Sequence, residues 1–221
     1  MDKMLVINAH PKVDSATSVS LQVLKRFLET YRALNPDTSI EQIDLYRDEV
    51  PAVDRVVLSA WDKLAKGEPL SEKERHVTGR MSEILRQFKA CKKYVIAMPL
   101  HNFNIPSKLK DYMDNILIAR ETFAYTPNGS VGLLTDGRSL LVIQASDGVY
   151  TNNDWYTEVE YSHKYLKSMF NFIGVERYRI IRAQGNAFRD RELVMEEAYR
   201  EADDAAASFF VETTNESLLH G

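Results

Sequence analysis

The sequence predicts an α/β fold in which five strands form a parallel sheet with helices on both faces, a three-layer sandwich. Three observations carry that expectation. Short apolar runs recur along the chain, and most are nearly continuously hydrophobic, as strands buried on both faces must be. Between them, apolar residues recur at the three-and-four spacing of helices. The two patterns also alternate, and parallel neighbours need crossovers, which are right-handed and usually helical.

The first run, Met4 to Ala9 (MLVINA), reads as a central strand, and Leu21, Leu24, Phe27, Leu28 and Tyr31 mark the helix after it. Ser39 to Leu45 (SIEQIDL) alternates as an edge strand does. Tyr46 to Leu70 follows as a long connector without strong periodicity. Ser71 with Glu74 makes a capping box, and Val77, Met81, Ile84, Leu85 and Phe88 carry one helical face into the third strand, Lys93 to Pro99 (KYVIAMP). Pro106 suits a helix start, where its missing N–H loses no bond, and Leu109, Tyr112, Met113, Ile116 and Leu117 continue that helix. A second aperiodic connector, Glu121 to Gly137, leads to the fourth strand, Ser139 to Ala145 (SLLVIQA). A helix over Tyr156 to Phe172, a strand over Tyr178 to Ala183 and a helix over Arg189 to Phe210 complete the series. Connectors as long as the two above are often functional or interfacial. No repeat, low-complexity tract or Gly/Ser linker interrupts the chain, so one domain over residues 1–221 is expected.

Composition narrows the function classes. Hydrophobic residues make up 44% and charged residues 27% of the 221, enough to bury a sizeable core. Formal net charge is -4 and no dense Lys/Arg block is present, so nucleic acid and acidic membranes have no electrostatic handle, and a small metabolite or protein partner is expected. Cys91 is the only cysteine, which excludes an intramolecular disulfide and a cysteine metal cluster and points to a reducing compartment; no metal site is expected. The start of the chain lacks a basic leader with an apolar signal core, and no segment approaches the ~18 continuous apolar residues of a membrane span. The expected location is cytoplasmic.

In an open parallel sheet, ligands bind beyond the carboxyl ends of the strands, where strand order reverses. Three corners qualify, those after the first, third and fourth strands. The first, Asn8 to Ser20, is rich in hydroxyls (Ser15, Thr17, Ser18, Ser20) before a helix N-terminus, and could hold a phosphate without lysine. The same residues serve equally as N-caps and turn formers. The third, MPLHNFN, could offer backbone groups of Leu100 to Asn104 and the Asn102 amide to a planar heteroaromatic ring, with Phe103 packing beside it; as a turn with an Asn cap it would need no ligand. The fourth, ASDGVY, puts Gly148 where a backbone could approach a ligand, although Asp-Gly is also a common turn dipeptide.

MPLHNFNIPSKLKDYMDNI followed by TFAYTPNGSVGLLTDGRSLLVIQ resembles the FMN-dependent NADH-azoreductase family, in the wider group of flavodoxin-like quinone reductases. The similarity runs from VINAHP through FNFIGV to RAQGN, nearly the whole chain. The resemblance implies a flavodoxin-like homodimer with FMN in each active site and residues of both subunits lining it. The family's phosphate-binding S-x-S matches Ser18, Val19 and Ser20, with His10 where other members carry serine or histidine. Its isoalloxazine corner matches Pro99, Leu100, His101, Asn102 and Phe103, although many members have an aromatic residue where this chain has His101. Its S-R-G-G corner falls on Ala145, Ser146, Asp147 and Gly148; only the last glycine is kept, and a hydroxyl and an arginine are gone from beside the flavin. Tyr125 and Phe172 match aromatic positions of the family's substrate pocket, reached across the dimer; as isolated residues both would serve as core packing.

The implied reaction is ping-pong hydride transfer. NADH or NADPH supplies electrons through FMN, and quinones or azo compounds take them in pairs. No catalytic side chain is required, because the flavin carries the redox chemistry and the protein positions it. The rival expectation is a flavin-binding electron carrier or redox sensor acting by protein contact. A phospho-acceptor receiver would need an acidic pair after the first strand, which Asn8-Ala9-His10 does not supply.

Overall fold

The computed structural model describes residues 3–210; residues 1–2 and 211–221, the ends of the expected domain, lie outside the described residues. Along the chain run β1 (Met4–Asn8), α1 (Val19–Leu34), β2 (Ile40–Asp44), α2 (Arg55–Lys66), α3 (Glu72–Ala90), β3 (Lys93–Pro99) and α4 (Ser107–Ile116). Then follow β4 (Phe123–Thr126), β5 (Gly129–Gly132), β6 (Ser139–Ser146), α5 (Trp155–Glu158), α6 (Tyr161–Phe172), β7 (Arg177–Gln184) and α7 (Arg191–Asp204).

The five expected strands form one parallel sheet in the order β2-β1-β3-β6-β7. From β1 the chain goes first to β2 on one side and then to β3 on the other, so the strand order reverses between β1 and β3. Alternate side chains divide the core. Leu5, Ile7, Tyr94, Ile96, Met98, Leu140 and Val142 face α3, α4 and α6, while Met4, Val6, Val95, Ala97, Leu141 and Ile143 face α1 and α7. Most of these side chains are fully buried, and each of the larger aliphatic ones contributes about 1.5–3 kcal/mol by leaving water.

The helix caps follow the sequence signals. Ser71 and Glu74 close their capping box in both directions, at 3.3 and 2.7 Å. Ser18 caps α1, and Pro106 occupies the cap position of α4, one residue before the helix. Both aperiodic connectors, however, contain structure. The first holds α2, capped by Asp54, whose carboxylate accepts from Val56 and Val57, and ended by Gly67 in the left-handed region. Only Val57 and Ala60 of α2 are buried, so the apolar stripe that marks a helix in sequence is too thin to read. The second connector holds the β4–β5 hairpin, whose residues are largely exposed.

The helix expected over Tyr156 to Phe172 is two helices, parted at Val159 and Glu160. Glu160 is drawn inward to an ion pair with Arg182 instead of continuing α5. The last helix is regular to Asp204 and then widens into a π-turn over Ala205–Phe209, which seats Phe210 against Phe27 and Tyr31. Among the described residues no helix is long and apolar enough to cross a membrane.

Candidate functional site

Strand pairing brings the three corners together. Asn8 at the end of β1 lies opposite Ala97 on β3, and Pro99 lies opposite Ala145 on β6. The Leu100 N–H donates to the Ala145 carbonyl at 2.8 Å, tying the third corner to the fourth.

The first corner is organised by Asn8, which is 1% exposed. Its amide donates to the Val13 carbonyl (3.2 Å) and to Asp44 (2.9 Å), while its side-chain oxygen accepts the His10 N–H at 3.1 Å. The loop thus delivers Ser18 to the start of α1. There Ser18 Oγ accepts from Leu21 N–H and lies 3.3 Å from Ser20 Oγ. The Val19 and Ser20 N–H groups belong to the first turn, which has no intrahelical acceptors. Asp14, the one carboxylate of the loop, is paired with Arg47, which leaves hydroxyl and N–H groups at the helix N-terminus. That donor set fits a phosphate, whose negative charge the helix dipole favours. The half-buried His10 has its pKa lowered, chiefly by burial.

The third corner is a two-residue hairpin turn. His101 N–H donates to the Asn104 carbonyl (2.9 Å) and Asn104 N–H to the His101 carbonyl (2.8 Å). Its central residues, Asn102 and Phe103, have φ of 47 and 65°. Asn-Gly is the usual pair for such a turn. A phenylalanine there costs about 1–2 kcal/mol relative to an extended or right-handed backbone. In return, the turn directs the half-buried Phe103 ring into an aromatic group with Tyr150, Trp155 and Tyr156, at centroid distances of 6.4, 5.4 and 6.2 Å. The turn's own bonds use the N–H groups of His101 and Asn104 but not those of Asn102 and Phe103.

The fourth corner is tied to the end of β7. Asn186 donates from its backbone and its side-chain amide to the Ser146 carbonyl, and Gly185 N–H reaches the Gly148 carbonyl at 3.0 Å. Ser146 Oγ turns back to the Gly148 carbonyl, and Asp147 is exposed at the tip. A Cβ on Gly148 would lie 3.3 Å from the Tyr150 ring, so the glycine keeps that ring close to the corner. Burial raises the Tyr150 phenol, and Tyr156, Glu160 and Asp147 add to the effect. The side-chain oxygens of Asn186 and Thr157 are buried without a partner among the described residues.

Tyr125 and Phe172 meet through Phe123, 5.4 Å from Tyr125 and 4.7 Å from Phe172. They lie apart from the corners. Phe172 ends α6, whose first turn touches Phe103, and a rise of about 1.5 Å per residue puts it roughly 16 Å down the helix, toward the other end of the sheet. Tyr125 is 77% exposed. The aromatic rim of Tyr150, Trp155 and Tyr156 escapes the sequence reading, although three aromatics within one seven-residue span after a strand are a readable signal. The polar group beneath the site, Gln144, Glu160, Ser162 and Arg182, was also passed over; its sign was a glutamine and an arginine inside two apolar strands.

Comparison with known proteins places the chain in context. The profile of the Flavodoxin-like fold family matches residues 2–206. An FMN-dependent NADH:quinone oxidoreductase 1 of Bacillus cereus is 64% identical over 208 residues, 94% of this chain and 98% of that protein. An FMN-dependent NADH:quinone oxidoreductase 2 of Bacillus subtilis (strain 168) is 40% identical, covering 95% of this chain and 100% of its own. The crystal structure of an FMN-dependent NADH-azoreductase from Bacillus anthracis in complex with FMN superposes with a TM-score of 0.92 at 63% identity, over 94% of this chain and 98% of that one.

Proposed function

The chain belongs to the flavodoxin-like family of FMN-dependent NADH:quinone oxidoreductases, and from that premise we infer that it is itself an FMN-dependent oxidoreductase that uses NADH to reduce quinones and azo compounds. The observation that carries the reading is the juxtaposition at the strand-order reversal: a helix N-terminus bearing hydroxyls and N–H donors beside a left-handed turn that presents Asn102 and Phe103. The same donors suit the FMN phosphate, and the turn suits a planar ring.

Bound FMN would supply the hydride-transfer chemistry between NADH and the acceptor. The protein's part is placement. Ser18, Val19 and Ser20 hold the phosphate, with His10 beside them. Pro99, Leu100, His101, Asn102 and Phe103 would hold the ring, together with Ala145, Ser146, Asp147 and Gly148. No side chain acts as nucleophile or metal ligand. Tyr125 and Phe172, distant from the corners within one chain, would line the acceptor pocket of a second copy. The active unit is therefore a homodimer, each subunit a single domain over residues 1–221, and its place is the cytoplasm. The exposed hairpin that carries Tyr125 supports this arrangement.

The test is the visible spectrum of the purified protein under anaerobic conditions. Flavin bands that bleach with NADH and return with a quinone, with turnover at steady state, are the expected result. A protein that takes up no FMN, or holds reduced flavin that no quinone or azo dye reoxidises, would overturn the reading.

A further inference from the structure

Gln144 on β6 and Arg182 on β7 lie opposite each other in the sheet. Each continues the alternating series that buries Leu140 and Val142, or Tyr178 and Ile180, against α6. Polar side chains that end a buried series need partners. Both find them in Glu160, which is 3% exposed. Arg182 Nε and Nη2 donate to the two carboxylate oxygens of Glu160, each at 2.8 Å, and Gln144 Nε2 donates to one of them at 2.9 Å. Gln144 in turn accepts the Ser162 hydroxyl at 2.7 Å. Ser162 stands in the first turn of α6, where its N–H has no intrahelical acceptor, and it donates that N–H to the Phe103 carbonyl at 3.2 Å. One run of hydrogen bonds therefore joins the sheet to the strained residue of the third corner.

We infer that Glu160, clamped by Arg182, is a positioning residue for that corner. It fixes the first turn of α6, keeps the Ser162 N–H on the Phe103 carbonyl and holds Phe103 in the left-handed region. A strained φ persists only where its surroundings over-determine it. The turn's own two bonds would form as well with glycine at position 103, so they do not explain how a phenylalanine is kept there. Glu160 also stands at the cap position of α6 without making a side-chain cap bond, so its carboxylate serves the sheet and not the helix. A buried ion pair seldom adds net stability over an apolar replacement, which leaves geometry as its contribution. The inference rests on the reading of Phe103 as part of the flavin corner and deepens it.

The experiment is a double-mutant cycle of Glu160→Gln and Phe103→Gly with two measurements: amide hydrogen exchange of the flavin-free protein at Ser162, and the FMN Kd from flavin fluorescence, both at a temperature where circular dichroism shows every variant folded. Glu160→Gln is expected to speed Ser162 exchange and weaken FMN binding, each about tenfold or more, whereas in the Phe103→Gly background it shifts FMN binding less than about twofold, because that backbone needs no clamp. Lower thermal stability with unchanged Ser162 exchange and FMN Kd, or the same effect in both backgrounds, would overturn the inference. Should Glu160→Gln not fold, Arg182→Lys, which keeps the charge but loses the two-pronged geometry, carries the same measurements. Failure of the wild-type protein to take up FMN would refute the functional reading, and the exchange data would still decide the clamp.

Discussion

Gly132→Ala should dislodge the hairpin that carries Tyr125. A Cβ at this position would sit 2.4 Å from Gly174 N and from the Ile173 carbonyl carbon, and 2.8 Å from Gly174 Cα. Carbon contacts normally settle at about 3.5–4.0 Å, so the surfaces must part by about 1 Å. The far side cannot give way. Ile173 is fully buried, Gly174 is held at φ +98° with the Leu134 backbone 3.1 Å from where its own Cβ would be, and Leu134 N–H bonds the Ile173 carbonyl at 2.9 Å. The hairpin must therefore move. Overpacking of this kind costs about 1–3 kcal/mol. At about 2 kcal/mol, and about 2–4 °C per kcal/mol for a chain of this size, Tm should fall by about 4–8 °C. Phe123 would also lose its seat against Phe172, now 4.7 Å away. Steady-state assays should then show a raised KM for quinone, while FMN Kd is unchanged because the corners lie at the other end of the sheet. A variant within about 1 °C of wild type and with an unaltered KM would refute the close-approach argument.

Three other perturbations probe the rest of the molecule. Ser18→Ala removes an α1 cap and a proposed phosphate donor, so stability should drop by about 1 kcal/mol and FMN Kd should rise about tenfold or more, read by denaturant titration and fluorescence; equal affinity would remove Ser18 from the phosphate site. Asp147→Gly takes a negative charge from the exposed tip of the fourth corner and should raise the two-electron flavin potential by about 20 mV, the equivalent of about 1 kcal/mol, or tighten FMN binding. Unchanged potential and Kd would show that solvent screens it. Glu74 is held down to about 2 by Lys63, the Ser71 N–H and the Ser59 hydroxyl. Because this folded value is depressed, its stabilisation is complete above the ordinary carboxylate value and is lost as pH falls from about 5 toward 2. Glu74→Gln should flatten the acid limb of a stability-against-pH curve in that window, and parallel curves for both proteins would count against the assignment.

The five strands were legible because burial on both faces leaves almost no polar residue in Met4–Asn8 or Lys93–Pro99, and the capping box of α3 was legible because its two partners are three residues apart. The three corners were legible as strand ends, and the structure brings them together at one end of the sheet. α2 and the β4–β5 hairpin escaped notice because each buries too few residues to impose a period. The break between α5 and α6 was hidden for a different reason: it is set by Arg182, distant in sequence from Glu160.

Local spacing and apolar pattern by themselves determined the layers of this protein, its crossovers and the three corners at the strand ends, because burial and capping act over a few residues. Tertiary structure alone decided that Phe103 is held at positive φ, that Gln144, Glu160, Ser162 and Arg182 form one network behind it, and that Tyr125 and Phe172 stand away from the corners. Each of these depends on side chains from different elements meeting at hydrogen-bond or van der Waals distance, and such meetings are fixed by how the elements pack, which no short stretch of sequence encodes.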